Sequence, residues 1–176
     1  GHIAIPLGGG HDFGFPQALG LLAATQKSCS IINLDAHLDL RPTNPKITSG
    51  SPWFLLAEHA LYAKTKSKLV EFGIQRHCNA ETLVSYAKHK KIEIHWLDEI
   101  RKKKKSLHDQ FQTLLLREVK KKSVIVSLDI DGVAWQFAPG CSAPQVEGFD
   151  ASEVMKMSYT SGKNKSVKSF GIFETS

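Results

Sequence analysis

The sequence predicts an α/β fold in which a central parallel sheet is flanked by helices, and three observations point to it. Short β-branched and apolar runs alternate with longer segments of helical periodicity, the pattern of successive βα units. Of the 176 residues, 41% are hydrophobic, enough for a sizeable core and against disorder or a fibrous repeat. No linker, internal repeat or low-complexity tract divides the chain, so one domain spanning residues 1–176 is expected.

In chain order, a first strand is expected at Ile3–Leu7 and a helix at Pro16–Thr25. A β-branched run at Ser30–Leu34 reads as the second strand, and Trp53–Tyr62 as the next helix. Leu69–Gly73 and Ile92–Leu97 read as strands on either side of a helix at Asn79–Lys90, with Asn79 ahead of Glu81 as its start. A helix over Leu107–Lys121 then leads to a strand at Val124–Leu128. A helix at Ser152–Ser161, opened by Ser152 and Glu153, precedes a last strand at Val167–Phe173.

Charge narrows the class. The net charge is +6 and the pI about 9.2, but Arg101–Lys105 and Lys120–Lys122 alone supply more cations than that excess. These runs flank a helical stretch with only Phe111 among its aromatics and no nucleic-acid motif, so they read as solvated helix ends rather than a nucleic-acid surface. Cys29, Cys78 and Cys141 lie far apart, without the CxxC spacing of a zinc or redox site, and their odd number argues against a disulfide framework. No apolar run approaches the roughly 18 residues of a membrane span, and no signal-peptide layout opens the chain. A cytoplasmic protein with a small-molecule substrate, no nucleic-acid or membrane partner, and assembly as a homo-oligomer is expected.

Three polar clusters each follow an expected strand, where an open parallel sheet places its crevice. They are Gly8–Gly9–Gly10–His11–Asp12, Asp35–Ala36–His37–Leu38–Asp39 and Asp129–Ile130–Asp131. Carboxylates gathered in a cleft of reduced dielectric repel one another and need cations to stay ionised. In extended backbone Asp35, His37 and Asp39 share one side, as do Asp129 and Asp131, so all five are expected to converge on one point. Oxygen and imidazole donors without thiolate suit Mn²⁺, or less specifically Fe²⁺, Co²⁺ or Zn²⁺, and the number of carboxylates suggests two ions.

At these clusters the chain resembles the ureohydrolases, the superfamily of arginases, agmatinases and formimidoylglutamases. The segments GGGHD, NLDAHLDLR and SLDIDGVAWQFAPG carry the resemblance, which runs from Gly8 to Glu174. It implies a three-layer α/β fold with a central parallel sheet and a dinuclear Mn²⁺ site. One ion would take His11, Asp35, Asp39 and Asp129, the other His37, Asp35, Asp129 and Asp131, with Asp35 and Asp129 bridging. Family members are longer, so the chain is expected to lack their N-terminal and C-terminal segments.

Four segments point to the formimidoylglutamase branch. Arg41 stands where arginases usually carry an Asn, and Ser49–Gly50–Ser51–Pro52–Trp53 is similar to the SGTPF of formimidoylglutamases. Phe72–Gly73–Ile74–Gln75–Arg76 with Asn79 resembles that branch's GIQ segment, whereas Ala134 replaces the Asp of an Asp-Pro pair and Pro139–Pro144 resembles PGVSAP. Charge agrees, because N-formimidoyl-L-glutamate carries two carboxylates and Arg41 can pair with one bidentately. Ser49 joins it as an expected substrate contact, whereas Arg76, His77 and Cys78 receive no role. The resemblance implies hydrolysis of a linear amidine, with Asp39 as proton carrier to the departing amine and Glu174 hydrogen-bonding the amidine nitrogens. A guanidino substrate of the arginase or agmatinase kind, or a non-catalytic family member, are the competing readings.

Overall fold

The computed structural model describes residues 3–43, 46–120 and 122–175. Five strands form one all-parallel sheet: β1 (Cys29–Leu34), β2 (Lys68–Ile74), β3 (Glu93–Trp96), β4 (Ser123–Asp129) and β5 (Val167–Phe173). Their spatial order is β3-β2-β1-β4-β5. The chain builds outward from β1 to β3, then crosses back to lay β4 on the other side of β1. The direction of winding reverses between β1 and β4, and a crevice opens there at the carboxyl ends of the strands.

Among the described residues, seven α-helices connect and cover the sheet: α1 (Gly14–Thr25), α2 (Pro52–Glu58), α3 (Ala60–Thr65), α4 (Glu81–His89), α5 (Leu97–Lys102), α6 (Leu107–Val119) and α7 (Ala151–Gly162). On one face Ile32, Leu34, Phe72 and Val126 pack with Ile100, Phe111, Leu115 and Met157 from α5, α6 and α7. On the other, Ile31, Leu69 and Ile125 pack with Leu22, Trp53, Leu56 and Ala87 from α1, α2 and α4. The result is the expected three layers. Because β1 is covered on both faces, its residues are buried throughout, and it reads as a continuous run rather than an alternating one.

Several local expectations change. Ile3–Leu7 is not a ladder strand but two isolated parallel bridges to β5, Ala4 with Ser169 and Leu7 with Ile172. Ala4 N–H donates to Lys168 and Gly8 N–H to Ile172, but the residue between them in this register is Pro6, which has no N–H to give. The helix expected at Trp53–Tyr62 breaks at His59, whose backbone is extended and whose Nδ1 accepts the Leu61 N–H to cap α3. Short helix α5 starts at Leu97, which the sequence assigns to a strand.

Helix starts shift too. The first begins at Gly14, ahead of Pro16, and α4 begins at Glu81, with Asn79 committed elsewhere. Asp150, not Ser152, caps α7: its side chain accepts the Glu153 N–H while Glu153 accepts the Asp150 N–H. The expected end of the long helix at Lys121 lies outside the described residues, as does Ser176.

Candidate metal centre

His11 arrives at the crevice through a turn at Gly8 and Gly9, both with left-handed φ (86° and 68°) that a side chain would strain. Its imidazole is fully buried, stacked on Phe173 at 5.2 Å and edge-on to Trp53 at 5.4 Å. Nε2 lies 2.8 Å from Ser127 Oγ, which fixes the ring. Nδ1 then faces three carboxylates, 3.2 Å from Asp35 Oδ2, 2.9 Å from Asp39 Oδ2 and 2.8 Å from Asp129 Oδ2.

The ends of β1 and β4 are built alike. Asp35 Oδ1 accepts the His37 N–H at 2.7 Å, and Asp129 Oδ1 accepts the Asp131 N–H at 2.9 Å, each an aspartate bonding its own chain two residues on. Each turn leaves the aspartate's other oxygen facing His11 and swings the second side chain aside, so that His37 Nδ1 meets Asp131 Oδ2 at 3.0 Å. Asp39 takes a left-handed φ of 47°, so the extended alternation assumed for Asp35, His37 and Asp39 does not hold. The expected single point of convergence is therefore two. His11, Asp35, Asp39 and Asp129 form one donor group and Asp35, His37 and Asp131 the other, with Asp35 common to both. Asp129, expected to bridge, falls in the first group only. Asp12 belongs to neither.

Burial and the neighbouring Asp35 charge push Asp39 up to about 7, Asp129 to about 8 and Asp131 to about 7. Asp35 is the exception: burial opposes its ionisation, but contacts with His11 and His37 outweigh it and hold the carboxyl well below the usual range. Burial likewise opposes charge on His11 and His37, yet their aspartate partners raise both well above an ordinary imidazole. The cluster thus retains protons to offset crowded negative charge, a task that a divalent cation performs better.

The donor set fits such an ion. Although three carboxylate oxygens crowd His11 Nδ1, none makes a directed hydrogen bond with it, and buried Asp131 Oδ1 has no hydrogen-bond partner. One N–H cannot serve three carboxylates, whereas an imidazole lone pair converging with oxygens on a common point is the arrangement for a hard or borderline divalent metal.

A cleft of about 110 Å³ opens over both groups, and His37, Asp39, Arg41, Ser49, Ser142 and Glu174 are among its lining residues. Glu174 joins the cleft wall to the first group: Oε1 accepts the His11 N–H at 2.8 Å and Oε2 accepts the Ser142 hydroxyl at 2.6 Å. Arg41 is exposed, and no carboxylate lies within salt-bridge distance of it among the described residues. Its chain lies against Gly50, where a Cβ would come within 2.9 Å of Arg41 Cδ. Arg76, by contrast, stacks over Trp96 and pairs with Asp98 and Glu99.

Sequence reasoning missed the supporting residues. Asn79 Oδ1 accepts the Leu38 N–H while Nδ2 donates to the carbonyls of Ala36 and Gln75, tying the Asp35–Asp39 loop to the segment after β2. Ser127, Asn33 and Glu71 lie fully buried on central strands. The available signal was a polar residue interrupting an otherwise apolar buried run, which rarely occurs without a partner to satisfy it.

Comparison with known proteins agrees with this architecture. A family model described as the arginase family matches residues 1–176. Formimidoylglutamase of Hahella chejuensis is 31% identical over 153 residues, 84% of this chain and 47% of the relative. Among solved structures, Trypanosoma cruzi formiminoglutamase with Mn²⁺ superposes with a TM-score of 0.86 at 28% identity, over 99% of this chain and 58% of that one. Bacillus subtilis formimidoylglutamase gives 0.85 at 25% identity, over 98% of this chain and 53% of that one. The chain thus spans about half the length of the curated relatives it matches. Its strand order, its two acid-ended central strands and the family match agree that this chain belongs to the arginase family.

Proposed function

We propose that this chain carries the catalytic centre of a dinuclear manganese hydrolase that converts N-formimidoyl-L-glutamate and water to L-glutamate and formamide. The observation that carries the reading is the pair of donor groups sharing Asp35 beneath a cleft whose wall holds Arg41, a cation without a carboxylate partner among the described residues. His11, Asp35, Asp39 and Asp129 would hold one ion, and Asp35, His37 and Asp131 the other. Bound there, two divalent ions make water a competent nucleophile near neutral pH.

The chain's own residues supply the rest. Arg41 anchors a substrate carboxylate through its planar fork. Ser49 and Ser142 offer hydroxyls beside it, and Glu174, fixed by the His11 N–H and the Ser142 hydroxyl, faces the amidine nitrogens. Asp39, 8% exposed at the cleft floor, carries a proton from the attacking water to the departing amine. The C–N bond breaks as that proton arrives, leaving formamide and the free amine of glutamate.

The relatives named formimidoylglutamase support the substrate, as does the Arg41 guanidinium on the cleft wall. No helix among the described residues is long and apolar enough to cross a membrane. The same reading includes a cytoplasmic homo-oligomer, and the three free cysteines support a reducing compartment. The test is a substrate panel on manganese-loaded protein. Turnover of formimidoylglutamate in preference to agmatine and arginine is expected, and preference for either guanidino compound would overturn the substrate assignment.

A further inference from the structure

Asn33 and Glu71 are directly paired across β1 and β2, both fully buried, with Asn33 two residues before Asp35, and the reaction scheme uses neither. Asn33 Nδ2 donates to Asp35 Oδ2 at 3.0 Å and to Glu71 Oε2 at 2.9 Å. An amide flanked by two carboxyl acceptors can face them only with its NH₂, so the side-chain orientation is settled by its neighbours. Glu71 has no cation within salt-bridge distance among the described residues and belongs to neither donor group. A buried carboxyl bonded to a single amide is costly, and Asn33 is what it holds.

Asp35 is the side chain for which that restraint matters. Its Oδ1 is fixed by the His37 N–H and faces His37, whereas its Oδ2 faces His11 at 3.2 Å. The backbone of its own turn thus fixes one oxygen, and among the described residues only Asn33 fixes the other by a hydrogen bond. A carboxylate shared by both donor groups would leave both if it rotated.

We infer that Asn33 and Glu71 are positioning residues for the metal centre: Glu71 locks the Asn33 amide, and Asn33 holds Asp35 at the angle that lets it serve both donor groups. This rests on the dinuclear reading above. The device is sequential, so it acts through metal affinity rather than through contact with substrate.

The test is Mn²⁺ binding followed by the electron paramagnetic resonance signal of free Mn²⁺, with melting of the metal-free protein measured alongside. In the double variant Asn33→Leu/Glu71→Leu, affinity should fall about ten- to hundredfold, as is usual when such supporting partners are lost. The melting temperature of the metal-free form should stay level or rise, because apolar side chains replace buried polar ones. Glu71→Gln should retain affinity within about threefold, since its side-chain carbonyl accepts the same Asn33 N–H. If the double variant fails to fold, Asn33→Ser, too short to reach both acceptors, should show the same loss. Unchanged affinity in the folded variants, or a lowered melting temperature with affinity intact, would overturn the inference while leaving the dinuclear reading standing. A wild-type protein that takes up no Mn²⁺ would overturn both.

Discussion

His37 Nδ1 lies 3.0 Å from Asp131 Oδ2, so the second residues of two identically built turns, one on β1 and one on β4, meet across the point where the sheet reverses its winding. The spacing of acid and imidazole two residues apart is therefore not a matter of alternation in an extended strand. An aspartate that bonds the N–H two residues ahead directs its free oxygen inward and the following side chain sideways, which separates the donors into two groups. Asp35 alone belongs to both.

That geometry ranks the ligands. Asp35→Asn should remove nearly all bound Mn²⁺, whereas Asp131→Asn or His37→Ala should leave about one ion per chain, held by the group around His11. Elemental analysis of manganese-loaded, gel-filtered variants reads this directly. Equal losses from Asp35→Asn and Asp131→Asn would mean that the two groups do not load separately.

Metal should also stabilise the fold. Burial, and after it the charge of Asp35, raises the carboxyls of Asp39, Asp129 and Asp131. At free Mn²⁺ about a hundredfold above Kd, linkage contributes about 2.7 kcal/mol per site. For a chain of this length that is a rise of about 5–10 °C in Tm. Scanning calorimetry with and without chelator measures it, and identical melting curves would refute convergence of the acids on a cation.

Much of this architecture was legible in the sequence because burial on both faces leaves a plain signature. The apolar runs at Ser30–Leu34 and Val124–Leu128 read as strands of one parallel sheet, so the clusters ending them were expected at one edge. What stayed hidden depended on contacts between distant segments. The break at His59 needs its imidazole to reach the Leu61 N–H, and Asn79 serves the Asp35 loop rather than its own helix because Ala36 and Leu38 lie beside it. Pro6 was visible, but that it falls on the one N–H the β5 edge required follows only from the register. The left-handed turn at Asp39 has no local marker such as glycine.

At the opposite end of the sheet, Glu93 accepts hydrogen bonds from His95, Lys68 and Arg117, and despite partial burial these hold its carboxyl far below the usual range. A depressed carboxyl contributes stability above its unfolded pKa of about 4.3 and loses it as pH falls toward the folded value. Between pH 7 and 5 the contribution should therefore be flat, declining progressively only below about pH 5. Glu93→Gln should cost about 1–2 kcal/mol at pH 7 and progressively less in acid, as the charge-assisted bonds disappear from the wild type too. Urea unfolding of both proteins from pH 7 to pH 3 checks the convergence, and a gap that widens in acid would contradict it.

Substrate selection should rest on Arg41, whose side chain is exposed at the cleft and lies along Gly50. If its guanidinium pairs with a substrate carboxylate, Arg41→Ala removes a charge-assisted contact of about 2 kcal/mol, or about thirtyfold in kcat/KM. A pair formed equally in ground and transition states appears as a raised KM with kcat unchanged. Arg41→Lys should recover only part of the loss, because one ammonium cannot reproduce a bidentate fork. Gly50→Ala supplies an independent arm, since the new methyl would come within 2.9 Å of Arg41 Cδ and push the side chain off its seat without touching its charge. It should raise KM in the same direction while Mn²⁺ content stays at the wild-type level, arginine being unable to ligate a metal. Steady-state kinetics on formimidoylglutamate, paired with metal analysis, decides the matter: undiminished kcat/KM in Arg41→Ala would remove Arg41 from the substrate site and leave the metal centre as it stands.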